Sequence, residues 1–141
     1  MYDKTFRKKE KLCSKKLIAE LFESGKEFRQ SPFKLVYSLH PFSDAKVKVL
    51  ISVPKRNHKR AVKRNFLKRR IREAYRLNKN LIYSACTDDR LTVNLIIIYV
   101  SHRISEYQEI ERKLVEALES LAKRVEKDLD IPSGYLDSNI P

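Results

Sequence analysis

The stretch AVKRNFLKRRIREAYRLNK, residues 61–79, carries two patterns at once, and the rest of the chain is read outward from it. Advancing about 100° per residue around a helix, Leu67, Ile71, Ala74 and Tyr75 gather on one side. Arg64, Asn65, Lys68, Arg69, Arg72, Arg76 and Lys79 occupy an arc of about 140° by the same geometry. The spacing thus predicts a helix that packs by one face and presents cations on another. Like charges four residues apart, as in Arg64, Lys68, Arg72 and Arg76, destabilise an isolated helix by about 0.2–0.5 kcal/mol per pair. A surface built this way calls for an external anion; a merely solvated basic face is the alternative.

The charge is concentrated in this part of the chain. Residues 54–79 hold twelve Lys or Arg against the single Glu73, which is +11 of the chain's formal +13, whereas residues 105–130 carry a net −3. Seven Tyr and six Phe with no Trp supply flat side chains able to stack on bases, so the expected partner is a polyanion. Asn65, set among the cations, offers a donor and an acceptor suited to phosphate, 2′-hydroxyl or base edges. If about five of these side chains neutralise phosphates, log affinity falls against log salt with a slope of roughly −3.5 to −4.5.

On the N-terminal side, residues 1–13 are basic and without periodicity. Ser14 then caps a helix marked by Leu17, Ile18, Leu21 and Phe22 and ended at Gly25. Residues 33–39 alternate Phe33, Leu35, Tyr37 and Leu39 with Lys34, Val36 and Ser38, the period of a strand. A second strand is expected at 46–53, stopped by Pro54, and the turn-forming residues 40–44 suggest that the two make an antiparallel hairpin. On the C-terminal side, residues 92–100 are apolar on both faces apart from Asn94 and belong in the middle of a sheet. Ser105 and Gln108 form an S-x-x-Q capping box for a last helix in which Tyr107, Ile110, Leu114, Leu118, Leu121 and Val125 make the stripe.

The expected order is helix, strand, strand, helix, strand, helix, an α/β (α+β) two-layer sandwich in which the basic helix crosses between two strands. With 141 residues and 42% apolar content, one domain over residues 1–130 is expected, followed by a loose tail at 131–141.

Several functions fall away. Gly25 and Gly134 are the only glycines, too few for a phosphate-cradling glycine loop. The longest apolar run, residues 95–100, is far short of the roughly 20 residues of a membrane span, and the N-terminus is polar, so no membrane is expected. Cys13 and Cys86 are far apart and read as reduced cytosolic thiols, giving a cytoplasmic setting. Glu73 is the only acid of the basic segment, Asp88 and Asp89 sit in a turn, and His40, His58 and His102 lie in or beside loops. No catalytic residue and no metal ligand is therefore assigned to the protein. His58 reads as an extension of the basic surface.

The run Ser52-Val53-Pro54-Lys55-Arg56, four residues, then 61–73 resembles the bacterial ribonuclease P protein family, with weaker likeness over about residues 5–125. The resemblance implies the protein subunit of a ribonucleoprotein that removes the 5′ leader of precursor tRNA, catalysis by the RNA, and Mg²⁺ bound chiefly by RNA phosphates. It implies that Arg60, Arg64, Asn65, Lys68, Arg69, Arg72 and Arg76 contact ribonuclease P RNA. It also implies that a cleft of Ile18, Phe22, Phe33, Lys55 and Arg56 holds the leader, and that the crossover around the basic helix is left-handed. Phe66 stands where the family carries Arg, and it either stacks on a base or turns toward the protein. From spacing alone Phe22 and Phe33 are core residues as readily as leader contacts. Competing readings are a ribosomal protein or RNA chaperone, and a DNA-binding protein whose 61–79 helix enters a major groove, the latter lacking a helix-turn-helix partner.

Overall fold

The strand at Leu91–Tyr99 is the spine of the molecule, because Thr92 to Tyr99 are all buried and both faces must be covered. A computed structural model of the chain describes residues 4–129; the tail at 131–141 lies outside the described residues. In chain order the elements are α1 (Lys15–Ser24), β1 (Lys26–Gln30), β2 (Phe33–Pro41), β3 (Val47–Ser52), α2 (Ala61–Asn78), α3 (Asn80–Tyr83), β4 (Leu91–Tyr99) and α4 (Tyr107–Leu129). The sheet order is β1-β2-β4-β3, with β4 antiparallel to β2 and parallel to β3.

The alternation of β4 assigns its side chains to two clusters. Val93, Leu95, Ile97 and Tyr99 join Phe33, Leu35, Tyr37, Val47 and Val49 in the larger core, closed by Leu67, Ile71, Ala74 and Tyr75 of α2 and by Ile110, Leu114, Leu118, Leu121 and Val125 of α4. Ile96 and Ile98 point the other way and meet Val36, Leu12 and Leu21, with Leu17 and Ile18 beside them. The mixed α/β sandwich is thus as expected, with α2 and α4 on one face and α1 on part of the other. Each fully buried Leu, Ile or Phe side chain contributes about 1.5–3 kcal/mol.

The expected hairpin between residues 33–39 and 46–53 does not form. β2 and β3 each pair with β4, which lies between them. Their connection arches over the start of β4: Phe42 N–H donates to the Arg90 carbonyl, and the Thr92 hydroxyl accepts from Ser43 N–H and donates to the Ala45 carbonyl. Turn residues mark a reversal but do not say whether a third strand fits inside it; the doubly apolar β4 takes that place. Sequence reading also missed β1, whose single apolar residue Phe28 sits among Lys26, Glu27, Arg29 and Gln30, the charged make-up of a protected edge strand.

Ser14 caps α1 by accepting from Leu17 N–H at 3.3 Å. Gly25 ends the helix by close approach, since a Cβ there would stand 2.6 Å from the Leu21 carbonyl oxygen and 2.9 Å from Val36 Cγ1. The capping box at Ser105 is not used. The last helix begins at Tyr107, and Ser105 pairs its hydroxyl with the Tyr99 hydroxyl at 3.0 Å. No helix of the described residues is long and apolar enough to cross a membrane.

Ahead of α1, residues 4–12 are strapped to the end of α2. Phe6 packs edge-on against Tyr75 at 5.6 Å, and Lys79 is buried, with its ammonium 2.6 Å from Glu10 Oε1 and also donating to the Thr5 carbonyl. Burial opposes the charge on Glu10, yet hydrogen bonds from Lys79, the Tyr83 hydroxyl and Arg7 N–H together hold its carboxyl below the ordinary 4.5. Removing one partner of such a pair strands a buried charge, so Lys79→Met is expected to cost about 3–5 kcal/mol in urea unfolding. Because the folded carboxyl is the stronger acid, its stabilisation is complete above the unfolded value and lost as pH falls through the lowered folded one. A stability–pH curve should show that acid limb in the wild type and a shallower one in Lys79→Met.

Candidate nucleic-acid interface

Four buried side chains of α2, Leu67, Ile71, Ala74 and Tyr75, fix which way the helix faces, and they are the four that the spacing selects. The opposite side therefore points to solvent. Asn65, Arg69 and Arg72 are exposed there, with Lys68 half-buried, and Arg60 is exposed at the N-cap. Among the described residues no carboxylate pairs with Lys63, Lys68, Arg69 or Arg72.

Other cations of the predicted arc are already engaged. Arg64 donates to the His58 and Lys59 carbonyls at 3.0 and 2.7 Å, closing the first turn of α2 onto the loop before it. Arg76 donates through Nε to Glu73 at 3.1 Å and also to the Lys4 carbonyl at 3.1 Å. The hydrogen bonds and charge of Arg76 hold the Glu73 carboxyl below its usual range, against slight desolvation. Lys79, predicted on the cationic arc, is instead buried against Glu10; it is the last residue of the arc, where the N-terminal strap crosses the helix end. Sequence reading treats these positions alike because helical spacing cannot show where carbonyls and acids from distant segments arrive.

The loop carrying Lys55 and Arg56, both exposed, is fastened to the end of β4. Asn57 Nδ2 donates to the Val100 carbonyl at 3.3 Å, and His58 Nε2 lies 2.8 Å from the Ser101 carbonyl, with its ring near Tyr99. His58 is thus buried and structural, and does not extend the basic surface. The strap adds what sequence reading missed. Lys68 and Arg72 share a cleft of about 240 Å³ with Phe6, Lys11, Leu12 and Cys13. The only hint was the basic but aperiodic character of the first thirteen residues.

Phe66 stays at the surface, 44% exposed, with the Arg70 guanidinium 4.0 Å from its ring centre. On α1, Phe22 is 59% exposed and Ile18 is half-buried in the smaller cluster. Phe33 is not brought beside them. It is fully buried, points into the α2/α4 core and meets Tyr99 edge-on at 5.7 Å. Strand alternation explains the separation, since Phe33, Leu35 and Tyr37 share one face while Val36 faces α1.

Asp88 pairs with Arg90 at 3.1 Å and the exposed Asp89 with Lys46 at 3.6 Å, as turn acids do. No three His, Cys, Asp or Glu side chains converge among the described residues.

A family model described as Ribonuclease P matches residues 6–124. A ribonuclease P protein component of Porphyromonas gingivalis is 34% identical over 119 residues, spanning 84% of this chain and 87% of its own. That of Chlorobium phaeobacteroides is 38% identical over 111 residues, spanning 72% and 75%. The solved ribonuclease P protein of Thermotoga maritima superposes with a TM-score of 0.63 at 21% identity, covering 79% of this chain and 96% of that one. The Staphylococcus aureus protein gives 0.61 at 22%, covering 81% and 95%. At these identities the two structures speak for the fold alone.

The different engagement of the cations makes a testable contrast. Arg72→Ala should reduce the salt slope of RNA binding by about 0.7–0.9, one phosphate's share, and Arg76→Ala by roughly half of that or less. Binding isotherms at several salt concentrations check this; equal changes would mean that the Glu73 pair opens on binding.

Proposed function

This chain belongs to the ribonuclease P protein family, the protein subunit of the ribonucleoprotein endoribonuclease that matures tRNA 5′ ends, and we propose that it serves that enzyme through two separate RNA-binding surfaces. The observation that carries the reading is the set of α2 cations with no carboxylate partner among the described residues, Lys68, Arg69 and Arg72, held outward by the buried side of the helix. Charges kept apart from protein carboxylates are available to RNA phosphates, where each contact releases counterions. Arg60 and Asn65 continue this surface, and Arg64 and Arg76 shape it while lending part of their charge. Ribonuclease P RNA is the partner assigned to it.

The second surface is that of α1. Phe22, exposed on a helix whose other side is packed on the sheet, with Ile18 beside it and Lys55 and Arg56 on the loop after β3, suits the single-stranded 5′ leader of precursor tRNA. Phe33 takes part only as core. Cleavage belongs to the RNA subunit. The donor set here does not suit a protein-held Mg²⁺, since Glu73, the acid of the basic helix, is committed to Arg76, so the metal is assigned chiefly to RNA phosphate oxygens. Free Cys13 and Cys86 are in keeping with a reducing, cytoplasmic setting.

Reconstitution with cognate ribonuclease P RNA at low Mg²⁺ should restore precursor tRNA cleavage. The Lys68→Ala, Arg69→Ala, Arg72→Ala triple variant should lower the magnitude of the salt slope by about 2–3 with little change in melting temperature. No rescue, or a preference for duplex DNA, would return the chaperone or DNA-binding readings. Phe22→Ala should weaken precursor binding by about 1–3 kcal/mol and leave mature tRNA binding unchanged. Equal losses on both substrates would make Phe22 a structural residue.

A further inference from the structure

An aromatic ring exposed beside the cationic arc of a helix needs a reason. Phe66 is 44% exposed although the chain has an ample core, and its neighbours one turn further along the helix, Arg69 and Arg70, are cations. Arg70 does not point to solvent as an ordinary phosphate ligand would. Its guanidinium lies 4.0 Å from the Phe66 ring centre and donates to the Ser105 carbonyl, so it is tied to the loop before α4 and backs the ring from one side. A guanidinium fixed at both ends holds the ring in one orientation and leaves the exposed remainder free. Val62, 79% exposed, stands one turn earlier on the same helix face, and Ile104, 41% exposed, precedes the residue that anchors Arg70.

We infer that Phe66, backed by Arg70, is a stacking platform for one unpaired base of the RNA bound along α2, an assignment that rests on the RNA-binding reading of that helix. The surroundings choose the occupant. The rim is cationic, with Lys63 and Arg69 exposed three residues before and after the ring, and the chain carries +13, so a second copy of the protein would bring like charge to the patch. An RNA strand brings phosphates for the rim and a flat apolar ring for the centre. Arg70 then acts as a positioning residue. The contact contributes affinity without counterion release, which separates it from the neighbouring phosphate ligands.

The chain has no tryptophan, so Phe66→Trp introduces a single reporter at the platform. Titrating F66W with cognate ribonuclease P RNA should quench its emission as the complex forms, with affinity close to wild type. F66L should bind about 5- to 150-fold more weakly, the loss of one base–aromatic stack, with an unchanged salt slope and an unchanged circular dichroism spectrum. Emission that stays constant while the complex forms, or F66L binding as tightly as wild type, overturns the platform and leaves the phosphate surface standing. Failure of the wild type to bind the RNA overturns the RNA reading as well. Self-association of the wild type that F66L abolishes would give the patch to a second copy and overturn the base assignment.

Discussion

A strand that is apolar on both faces cannot lie at an edge or against solvent, and this constraint on β4 organises the molecule. It demands a neighbour on each side, which β2 and β3 supply, and a cover on each face, which α2 with α4 and α1 supply. Because β3 runs parallel to β4, the chain must cross from one end of the sheet to the other between them, and α2 is that crossover. The basic helix is therefore pinned by the same burial that completes the core. Its orientation is not a surface accident: rotating α2 to hide its cations would expose Leu67, Ile71 and Tyr75.

That pinning turns a charged sequence into a surface with graded availability. Some cations of α2 are drawn into the protein: Arg64 closes the helix onto the preceding loop, Arg70 donates to the Ser105 carbonyl, and Arg76 and Lys79 hold the N-terminal strap. Lys63, Lys68, Arg69 and Arg72 are left without carboxylate partners among the described residues. Repulsion along this row is tolerated because the helix is stabilised from its other side by packing rather than by its own surface pairs. The fold thus stores an electrostatic cost that RNA phosphates would relieve in the proposed complex, in keeping with membership in a family whose working form is a ribonucleoprotein.

The second surface has a different origin. α1 is short and covers only part of its face, packing through Leu21 with Leu17 and Ile18, which leaves Phe22 outside. The two surfaces proposed to bind RNA are thereby placed on opposite sides of one sheet, α2 on one and α1 on the other. This separation suits a subunit that engages a large structured RNA and a flexible strand at once.

Much of this was legible in local patterns. The period of α2 named its four buried residues, the two-faced apolarity of β4 placed it inside the sheet, and Ser14 and Gly25 bounded α1. Charge density alone indicated a polyanion, and the 52–73 motif indicated the family. Partnership across sequence distance was not legible. Whether β2 pairs with β3 or with β4, that residues 26–30 form an edge strand, that Phe33 faces away from α1, and that Lys79 and His58 are buried all depend on segments that meet only after folding. Periodicity reports which side of an element is apolar because that property is carried by the residues themselves. It is blind to which carbonyl, carboxylate or strand arrives on the other side, because that is decided by the packing of the whole chain.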